Sequence, residues 1–275
     1  MTKPQKVRAA AVDGLFYPDQ AEELGALLDE LMDGCAGAPG RAAAIIAPHA
    51  AYQFSGKLNA AAFRAAAGRK IEEVVLLGPT HREEVGDILL PESELFRTPL
   101  GDLTIDTELV EDMVSSSTRI IRNDIPHLEE HCLEVHLPFV QHLFPGARIV
   151  PALMGKTTPA LIRILAAALK LCLAPRLATT LLVVSANMTS YPWRKEESRT
   201  PDFFIQRILQ GDWAAIQDGY AAGSISSPAA GCVAALLSLK EFLGDRIELL
   251  GQSDSAAARD DHNIIYYAAV ALHPR

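Results

Sequence analysis

Short, uninterrupted apolar runs alternate along this chain with longer stretches of helical periodicity. An apolar run of about four to eight residues without alternation indicates a strand that is buried on both faces. Such strands, separated by helices, are typical of a mostly parallel or mixed central sheet with helices on both faces. We therefore predict an α/β fold. The predicted strands are 43–49, 72–81, 147–155 and 179–188, and the predicted helices are 19–34, 56–68, 106–117, 133–144, 158–173, 201–219 and 232–244.

The bulk composition indicates a single soluble domain spanning residues 1–275. Hydrophobic residues make up 49% of the chain, which is enough for a sizeable core, and no repeat or Pro/Gly-rich linker divides it. The formal net charge of -9 disfavours nucleic acid or an anionic membrane as a partner, because phosphate groups would be repelled. The N-terminus lacks an apolar segment of signal-peptide length, which predicts a cytoplasmic protein.

Polar groups follow three of the predicted strands at the point where each strand ends. His49 follows IIAP, His81 follows VLLGPT and Asn187 follows VVSA. In an open α/β sheet, ligands bind beyond the carboxyl ends of the strands, so these side chains converge if their strands are neighbours. The alternative is that His49 and His81 are separate loop histidines. Their equivalent positions favour a shared metal or catalytic site.

The four cysteines lie far apart and form no C-x-x-C pair, so neither a disulfide framework nor a structural zinc knuckle is expected. Cys232 has a distinct setting, because it follows SSPAAG and opens the predicted helix 232–244. Free N–H groups and the dipole at a helix N-terminus favour a thiolate, which could be a metal ligand or a nucleophile. The alternative is a buried cysteine that packs as a small hydrophobic residue.

The segment HLEEHCLEVH, residues 127–136, is the densest group of polar side chains. Its first five residues match H-x-x-E-H, a pattern in which two histidines one helical turn apart bind zinc and the glutamate serves as base. The match requires a continuous helix from His127 to His131. Alternatively, Glu130 and Glu134 hold the imidazoles in fixed tautomers, as carboxylates do around metal ligands.

Eight short segments occur in order over nearly the whole chain: DGLFYP, APHAAYQFSG, LLGPTH, RTPLGDLTID, HLEEHCLEVHLPFVQ, IVPALMG, VVSANMTSY and GCVAALLSL. This order resembles the MEMO family, which includes AmmeMemoRadiSam system protein B and MEMO-like proteins. The family's motifs read approximately G-x-W-Y-P, P-H-A-G-Y-x-Y-S-G, G-P-x-H, T-P-L-G-x-x-x-V-D, H-x-x-E-H-S-L-E-x-Q-L-P-F, V-P-x-x-x-G, S-S-D-x-x-H and a late C-G.

The resemblance implies a fold related to the class III extradiol dioxygenases, which hold a non-haem iron between ligands at strand ends. Carried over by motif, the metal ligands are His49, His81 and Cys232. Their open coordination positions suit Fe(II) or copper, with zinc as an alternative, and no nucleotide cofactor is implied. His131 and Glu134 are implied as catalytic residues that orient the site. The implied substrate-binding residues are Phe16 and Tyr17 near the pocket mouth, together with Asn187 and Ser190.

This chain departs from the family at S-S-D-x-x-H, which here reads SANMTS. Asn187 replaces the acidic residue, and Ser190 replaces the histidine that serves as acid/base in the dioxygenase relatives. Asn187 can hydrogen-bond but carries no negative charge, which makes it a poor metal ligand. These changes keep the metal-ligand candidates and remove the proton-transfer candidate.

Three functions follow from these residues. The leading hypothesis is a redox-active metal at His49, His81 and Cys232 that performs or supports an oxidation. The second is a metal-independent Cys232 nucleophile, activated by His49 or His81, in a hydrolase or thiol-redox enzyme. The third is a non-catalytic module that holds a small molecule or peptide in the cleft at the strand ends. A homo-oligomer is compatible with each of them.

Overall fold

Uninterrupted aliphatic and β-branched runs form the centre of the main sheet, as the sequence predicts. The computed structural model describes residues 5–36, 38–82, 86–189, 201–256 and 264–274. The strands are β1 (Val7–Arg8), β2 (Ala44–Ala47), β3 (Glu73–Pro79), β4 (Ile88–Leu90), β5 (Leu95–Thr98), β6 (Gly101–Thr104), β7 (Ile120–Arg122), β8 (Arg148–Met154), β9 (Thr180–Ser185), β10 (Arg246–Asp254) and β11 (Tyr266–His273). All four predicted strands are present, as β2, β3, β8 and β9.

Eight of these strands form one mixed sheet in the order β10-β11-β2-β9-β3-β8-β4-β7. The four predicted strands are parallel neighbours at its centre, whereas β11 and β4 pair antiparallel with them. β1, β5 and β6 form a separate three-stranded sheet. The predicted mixed α/β fold is confirmed. The carboxyl ends of β2, β9 and β3 lie side by side at one edge of the sheet.

The helices pack in two groups. They are α1 (Ala21–Asp33), α2 (Tyr52–Arg64), α3 (Thr107–Ser116), α4 (Ile125–Leu128), α5 (Leu137–Leu143), α6 (Pro159–Leu173), α7 (Pro201–Leu209), α8 (Trp213–Ala221), α9 (Ala230–Ser238) and α10 (Lys240–Leu243). One group contains α1, α2 and α5, and the other contains α3, α6, α7, α8, α9 and α10. None of the described helices has both the length and the apolar character needed to cross a membrane.

The two faces of the sheet are covered by different parts of the chain. A Cβ at Gly78 in β3 would lie 2.6 Å from Sγ of Cys132. Met154 in β8 pairs with the next residue of β3, so its side chain points to the opposite face. There, a Cβ at Gly231 in α9 would lie 2.6 Å from the Met154 sulfur. The turn at Cys132, which leads towards α5, thus covers one face and α9 covers the other, in agreement with the predicted helices on both faces.

Two of the predicted helices are interrupted. Gly211 has a φ of 64° and divides the 201–219 segment into α7 and α8. Asp212 then caps α8, because its carboxylate accepts a hydrogen bond from the Ala215 N–H at 3.1 Å. The 232–244 segment divides into α9 and α10 at Leu239.

The continuous helix required by the H-x-x-E-H match does not form. α4 ends at Leu128, and Glu129 has a φ of -118° and a ψ of 7°. The buried His127 ring has its Nε2 3.1 Å from the carbonyl oxygen of Leu89. His127 and His131 therefore do not share a helix face, and the H-x-x-E-H interpretation, in which these two histidines bind zinc with the glutamate as base, is wrong.

Candidate metal centre

His49 and His81 meet at the carboxyl edge of the sheet because their strands flank β9. β2 and β3 both pair in parallel with β9, and each histidine follows the last residue of its strand by two positions. Their ring centroids are 5.0 Å apart. The predicted convergence of these two strand-end histidines is confirmed.

His131 is the third imidazole of the cluster. Its ring centroid lies 4.8 Å from that of His81 and 5.6 Å from that of His49. It comes from the turn between α4 and the 3-10 turn Glu134–His136, not from a strand end. One nitrogen from each of the three rings lies within 4.8 Å of the other two. The three histidines could thus hold one metal ion.

Ser185 determines the tautomer of His49. Its hydroxyl donates to the carbonyl oxygen of Cys132 at 2.7 Å and lies 2.8 Å from Nδ1 of His49. A hydroxyl has a single proton, so Ser185 must accept its second bond from an Nδ1–H of His49. The Nε2 of His49 then carries the lone pair that a metal requires.

The buried carboxylate of Glu130 has the same effect on the other two rings. One of its oxygens is 2.9 Å from Nδ1 of His81 and 3.2 Å from Nδ1 of His131. The carboxylate also accepts the backbone N–H groups of His81, at 2.8 Å, and Cys132, at 3.0 Å. Burial alone would raise the pKa of Glu130, but the hydrogen bonds from His131 and His81 outweigh it and lower the pKa. Glu130 therefore stays ionised, and Nε2 of each ring is left as the ligand atom.

The electrostatic setting keeps His49 neutral. Burial, together with the neighbouring His81 and His131 rings, lowers the pKa of His49 well below its ordinary value. A metal binds the neutral form of imidazole, so the environment favours the ligating state.

A second possible ligand group, which shares His81, contains Glu130 and Cys132. The Glu130 carboxylate is already occupied by the four N–H groups described above. The buried Cys132 thiol donates to the carbonyl oxygen of Pro79 at 3.2 Å, and burial raises its pKa well above the ordinary value. We interpret this group as the layer that supports the three histidines.

Cys232 does not belong to either of these groups of described residues. It lies in the first turn of α9, as predicted, but only 1% of it is exposed. Burial raises the pKa of its thiol to about 12, although a hydrogen bond with the Met154 backbone acts in the opposite direction. Burial thus opposes the thiolate expected at this helix N-terminus, because desolvation disfavours the charged form of a thiol.

Glu134 lies in a separate buried network. Its carboxylate forms an ion pair with Arg8 and accepts the N–H groups of Ala11 and Val12, at 2.9 and 3.0 Å respectively. It also accepts the Tyr17 hydroxyl at 2.6 Å. Tyr17 is only 3% exposed, so its hydroxyl is committed to this network instead of to a pocket mouth.

The other predicted substrate-binding residues surround the cluster unevenly. The Phe16 ring centroid is 5.1 Å from that of His131. The side-chain oxygen of Asn187 accepts the backbone N–H of His49 at 3.1 Å, which fixes the turn after β2. Ser190 lies outside the described residues, as does His262.

A cavity of about 660 Å³ opens beside His81. It lies beyond the carboxyl end of β3, next to the segment 155–158 that leads from β8 into α6. The charged side chains that line it are those of Arg82 and Lys156, and Tyr220 contributes an aromatic ring. Arg82 also forms an ion pair with the exposed Glu129. The volume is in the range of small-molecule sites, and its position is the usual one for ligands of an α/β sheet.

Comparison with known proteins identifies the family. The Memo-like protein family model matches residues 8–271. The chain belongs to the Memo-like family. A MEMO1 family protein of Aeropyrum pernix is 32% identical over 282 residues, which cover 97% of this chain and 100% of that relative. MEMO1 family proteins of Desulfurococcus amylolyticus and Thermoplasma volcanium are 28% and 26% identical and cover 98% and 96% of the chain.

In this Memo-like protein, the family motifs supply the three imidazoles. P-H-A contributes His49, G-P-x-H contributes His81 and E-H contributes His131. The sequence did not lead us to expect a role for Ser185, although it is the first residue of the departing segment SANMTS. The available signal was its place as the last residue of β9, directly paired with Ala47 of β2.

Proposed function

We propose that this Memo-like protein binds a redox-active transition metal through Nε2 of His49, His81 and His131 and performs or supports an oxidation of a small molecule. The observation that carries the proposal is the convergence of three imidazoles whose Nδ1 atoms are all engaged by neighbouring groups. Such outer hydrogen bonds are a regular feature of metal-ligating histidines.

The donor set fits a metal with open coordination positions. Three neutral imidazoles suit iron, copper or zinc and leave room for further ligands. We propose iron or copper, with zinc as the alternative. When bound, such a metal supplies Lewis-acid and redox chemistry. The Glu130 carboxylate already accepts four N–H groups. The proposed ligand set therefore differs from a metal site formed by two histidines and one carboxylate.

The chain's own residues bind and orient the reactants in this proposal. Arg82 and Lys156 favour small molecules with a negatively charged group in the cavity beside His81. Phe16 covers the His131 ring and limits the access of water to that side. The negatively charged C-terminus of a peptide would meet the same two side chains, Arg82 and Lys156.

Metal content tests the proposal. Protein purified without an affinity tag should contain close to one iron or copper per chain by mass spectrometry, and His49→Ala, His81→Ala and His131→Ala should each lose most of it. Cys232→Ala is the matched comparison, because the family resemblance implies Cys232 as a ligand. Retention of metal by Cys232→Ala supports the three-histidine set, whereas loss there with retention in His131→Ala would establish the His/His/Cys set.

Full metal content in His49→Ala would refute both the three-histidine site and the His/His/Cys site. A metal-independent cysteine nucleophile is opposed by the burial and raised pKa of Cys232.

A further inference from the structure

Arg8 is a buried arginine that none of the proposed ligand roles uses. Only 1% of it is exposed, and burying a guanidinium is unfavourable unless its donors are paired. It lies in the short strand β1 of the small sheet, with the guanidinium 5.4 Å from the ring of Phe96. Its hydrogen bonds show what it holds.

The Arg8 guanidinium binds three points of one segment. Nε donates to the carbonyl oxygen of His127 at 2.9 Å, and Nη2 donates to the carbonyl oxygen of Glu130 at 2.9 Å. Nη1 forms the ion pair with Glu134. This segment runs from the end of α4 to the 3-10 turn at Glu134–His136 and carries His131. Arg8 therefore holds the backbone just before His131 and the Glu134 side chain just after it, where no helix does so.

Glu134 carries the connection back to the N-terminal segment. By accepting the N–H groups of Ala11 and Val12 and the Tyr17 hydroxyl, it fixes the residues that lead to Phe16. The Phe16 ring then packs near His131.

The same segment reaches the loop that carries His49. The carbonyl oxygen of Phe16 accepts the N–H of Tyr52 at 2.8 Å, three residues after His49. The Tyr52 hydroxyl donates to the carbonyl oxygen of Val135 at 2.8 Å, which closes the circuit on the segment next to Glu134. The backbone segments that carry His49 and His131 are thus tied together through residues 8–17.

We propose that Arg8 is a positioning residue that sets the placement of His131 and of Glu130 relative to His49 and His81. The inference rests on the proposed function for its effect on metal binding. Its effect on the geometry of the segment is independent of any metal. Arginine is suited to this role because its planar group reaches three acceptors at once, which lysine cannot reproduce.

The test compares Co²⁺ affinity in the wild type, Arg8→Gln and Arg148→Gln. Arg148 is the control because it pairs with two buried carboxylates, Glu73 at 2.9 Å and Asp106 at 3.1 Å, at the opposite edge of the sheet. Arg8→Gln should weaken Co²⁺ binding about tenfold or more, as loss of outer hydrogen bonds does at metal sites, and should change the visible absorption of bound Co²⁺. Arg148→Gln should stay within about twofold of the wild type.

Arg8→Lys is the second variant, which replaces Arg8→Gln in the test if Arg8→Gln does not fold. Lysine keeps a cation beside Glu134 but loses the two bonds to the carbonyl groups, so a loss of Co²⁺ affinity with a near-normal melting temperature is expected. Wild-type affinity in Arg8→Lys, or an equal loss in Arg148→Gln, would overturn the proposal.

Metal-free protein separates this inference from the proposed function. The amide hydrogens of His81 and Cys132 are bonded to Glu130, so their exchange with solvent reports its placement. Arg8→Gln should speed their exchange relative to the amides of β9, and Arg148→Gln should not. If the wild type binds neither Co²⁺ nor iron, copper or zinc, the proposed function fails, and this exchange alone decides: faster exchange supports the role of Arg8, and unchanged exchange refutes it.

Discussion

At the scale of single residues, each candidate ligand is held by a hydrogen bond at Nδ1, which leaves Nε2 as the proposed ligand atom. Ser185 holds His49, and Glu130 holds both His81 and His131. These partners select the tautomer and limit ring rotation, so they affect metal binding without contacting the metal. Their removal is a sharper test of the site than removal of a ligand.

Replacement of Ser185 by alanine removes the acceptor for Nδ1–H of His49. We expect the affinity for metal to fall about tenfold or more, because the ring can then rotate or change tautomer. Titration with Co²⁺ measures the change. Ser93→Ala is the control, since Ser93 is also buried and donates to the Asp124 carboxylate at 3.0 Å. An equal loss in both variants would contradict the role assigned to Ser185.

The four thiols differ in their access to solvent. Cys35 is half-buried, whereas Cys132, Cys172 and Cys232 are buried. We expect iodoacetamide to label Cys35 first in the native protein at neutral pH, because attack requires an accessible thiolate. Peptide mapping by mass spectrometry locates the label. Preferential labelling of Cys232 would instead revive the nucleophile hypothesis.

At the scale of elements, the turn carrying Glu130 and His131 packs directly on the end of β3. Gly78 makes this approach feasible, because a Cβ there would lie 2.6 Å from Sγ of Cys132 and 2.7 Å from Cδ2 of Leu133. β3 also lies between β9 and β8, so it cannot move aside without disturbing both neighbours.

Gly78→Ala should therefore destabilise the protein by roughly 1–3 kcal/mol, the usual cost of overpacking a core. Urea unfolding measures the free energy. Gly25→Ala in α1 is the control, because its added Cβ would have no atom within 4 Å apart from its chain neighbours and the backbone of its own helix. That substitution should raise stability by roughly 0.5–1 kcal/mol, because alanine favours a helix interior over glycine. Unchanged stability in Gly78→Ala would mean that the turn can move away from β3.

At the scale of the whole molecule, two buried histidines outside the candidate metal ligands stay neutral in the fold. Burial lowers the pKa of His127 to about 4, although the hydrogen bond to Leu89 acts in the opposite direction. Burial alone lowers the pKa of His136 to about 3. Neither ring nitrogen of His136 has a hydrogen-bond partner among the described residues. Both groups couple global stability to pH.

The sign follows from the proton uptake of the two states. The unfolded chain protonates these histidines near pH 6.5, whereas the folded chain does so only near pH 4 and 3. Between these values the unfolded state binds more protons, so the free energy of unfolding is fully retained above about pH 6.5 and falls as the pH drops. Urea unfolding between pH 7 and 4 should show this slope.

His136→Gln places the glutamine of the family motif at this position and removes one titrating group. We expect a flatter dependence of the unfolding free energy on pH in this variant, whatever the effect of the substitution on stability at neutral pH. The comparison is between slopes, so a change in absolute stability does not affect it. An identical slope would show that folding does not lower the pKa of His136.

The local sequence pattern predicted the centre of the fold and part of the site. Four apolar runs became four adjacent parallel strands, and two strand-end histidines met as expected. Apolar runs are reliable because burial on both faces leaves no other arrangement for them. The helix breaks at Gly211 and Leu239 were missed, because helical periodicity continues across them. Memo-like family membership, implied by the motif order, is confirmed over residues 8–271.

Taken by itself, the sequence determined the α/β class and the placement of His49 and His81, since each depends on residues close together in the chain. The order of the motifs along the chain determined the family. Only the tertiary structure decided that His131 is the third imidazole and that Cys232 is buried and belongs to neither group of described residues whose ligand atoms lie within 4.8 Å of one another. It also decided that Arg8, more than 100 residues away in sequence, holds the segment carrying His131. These features depend on contacts between residues far apart in sequence and on the desolvation of buried groups, and both arise only when the chain folds.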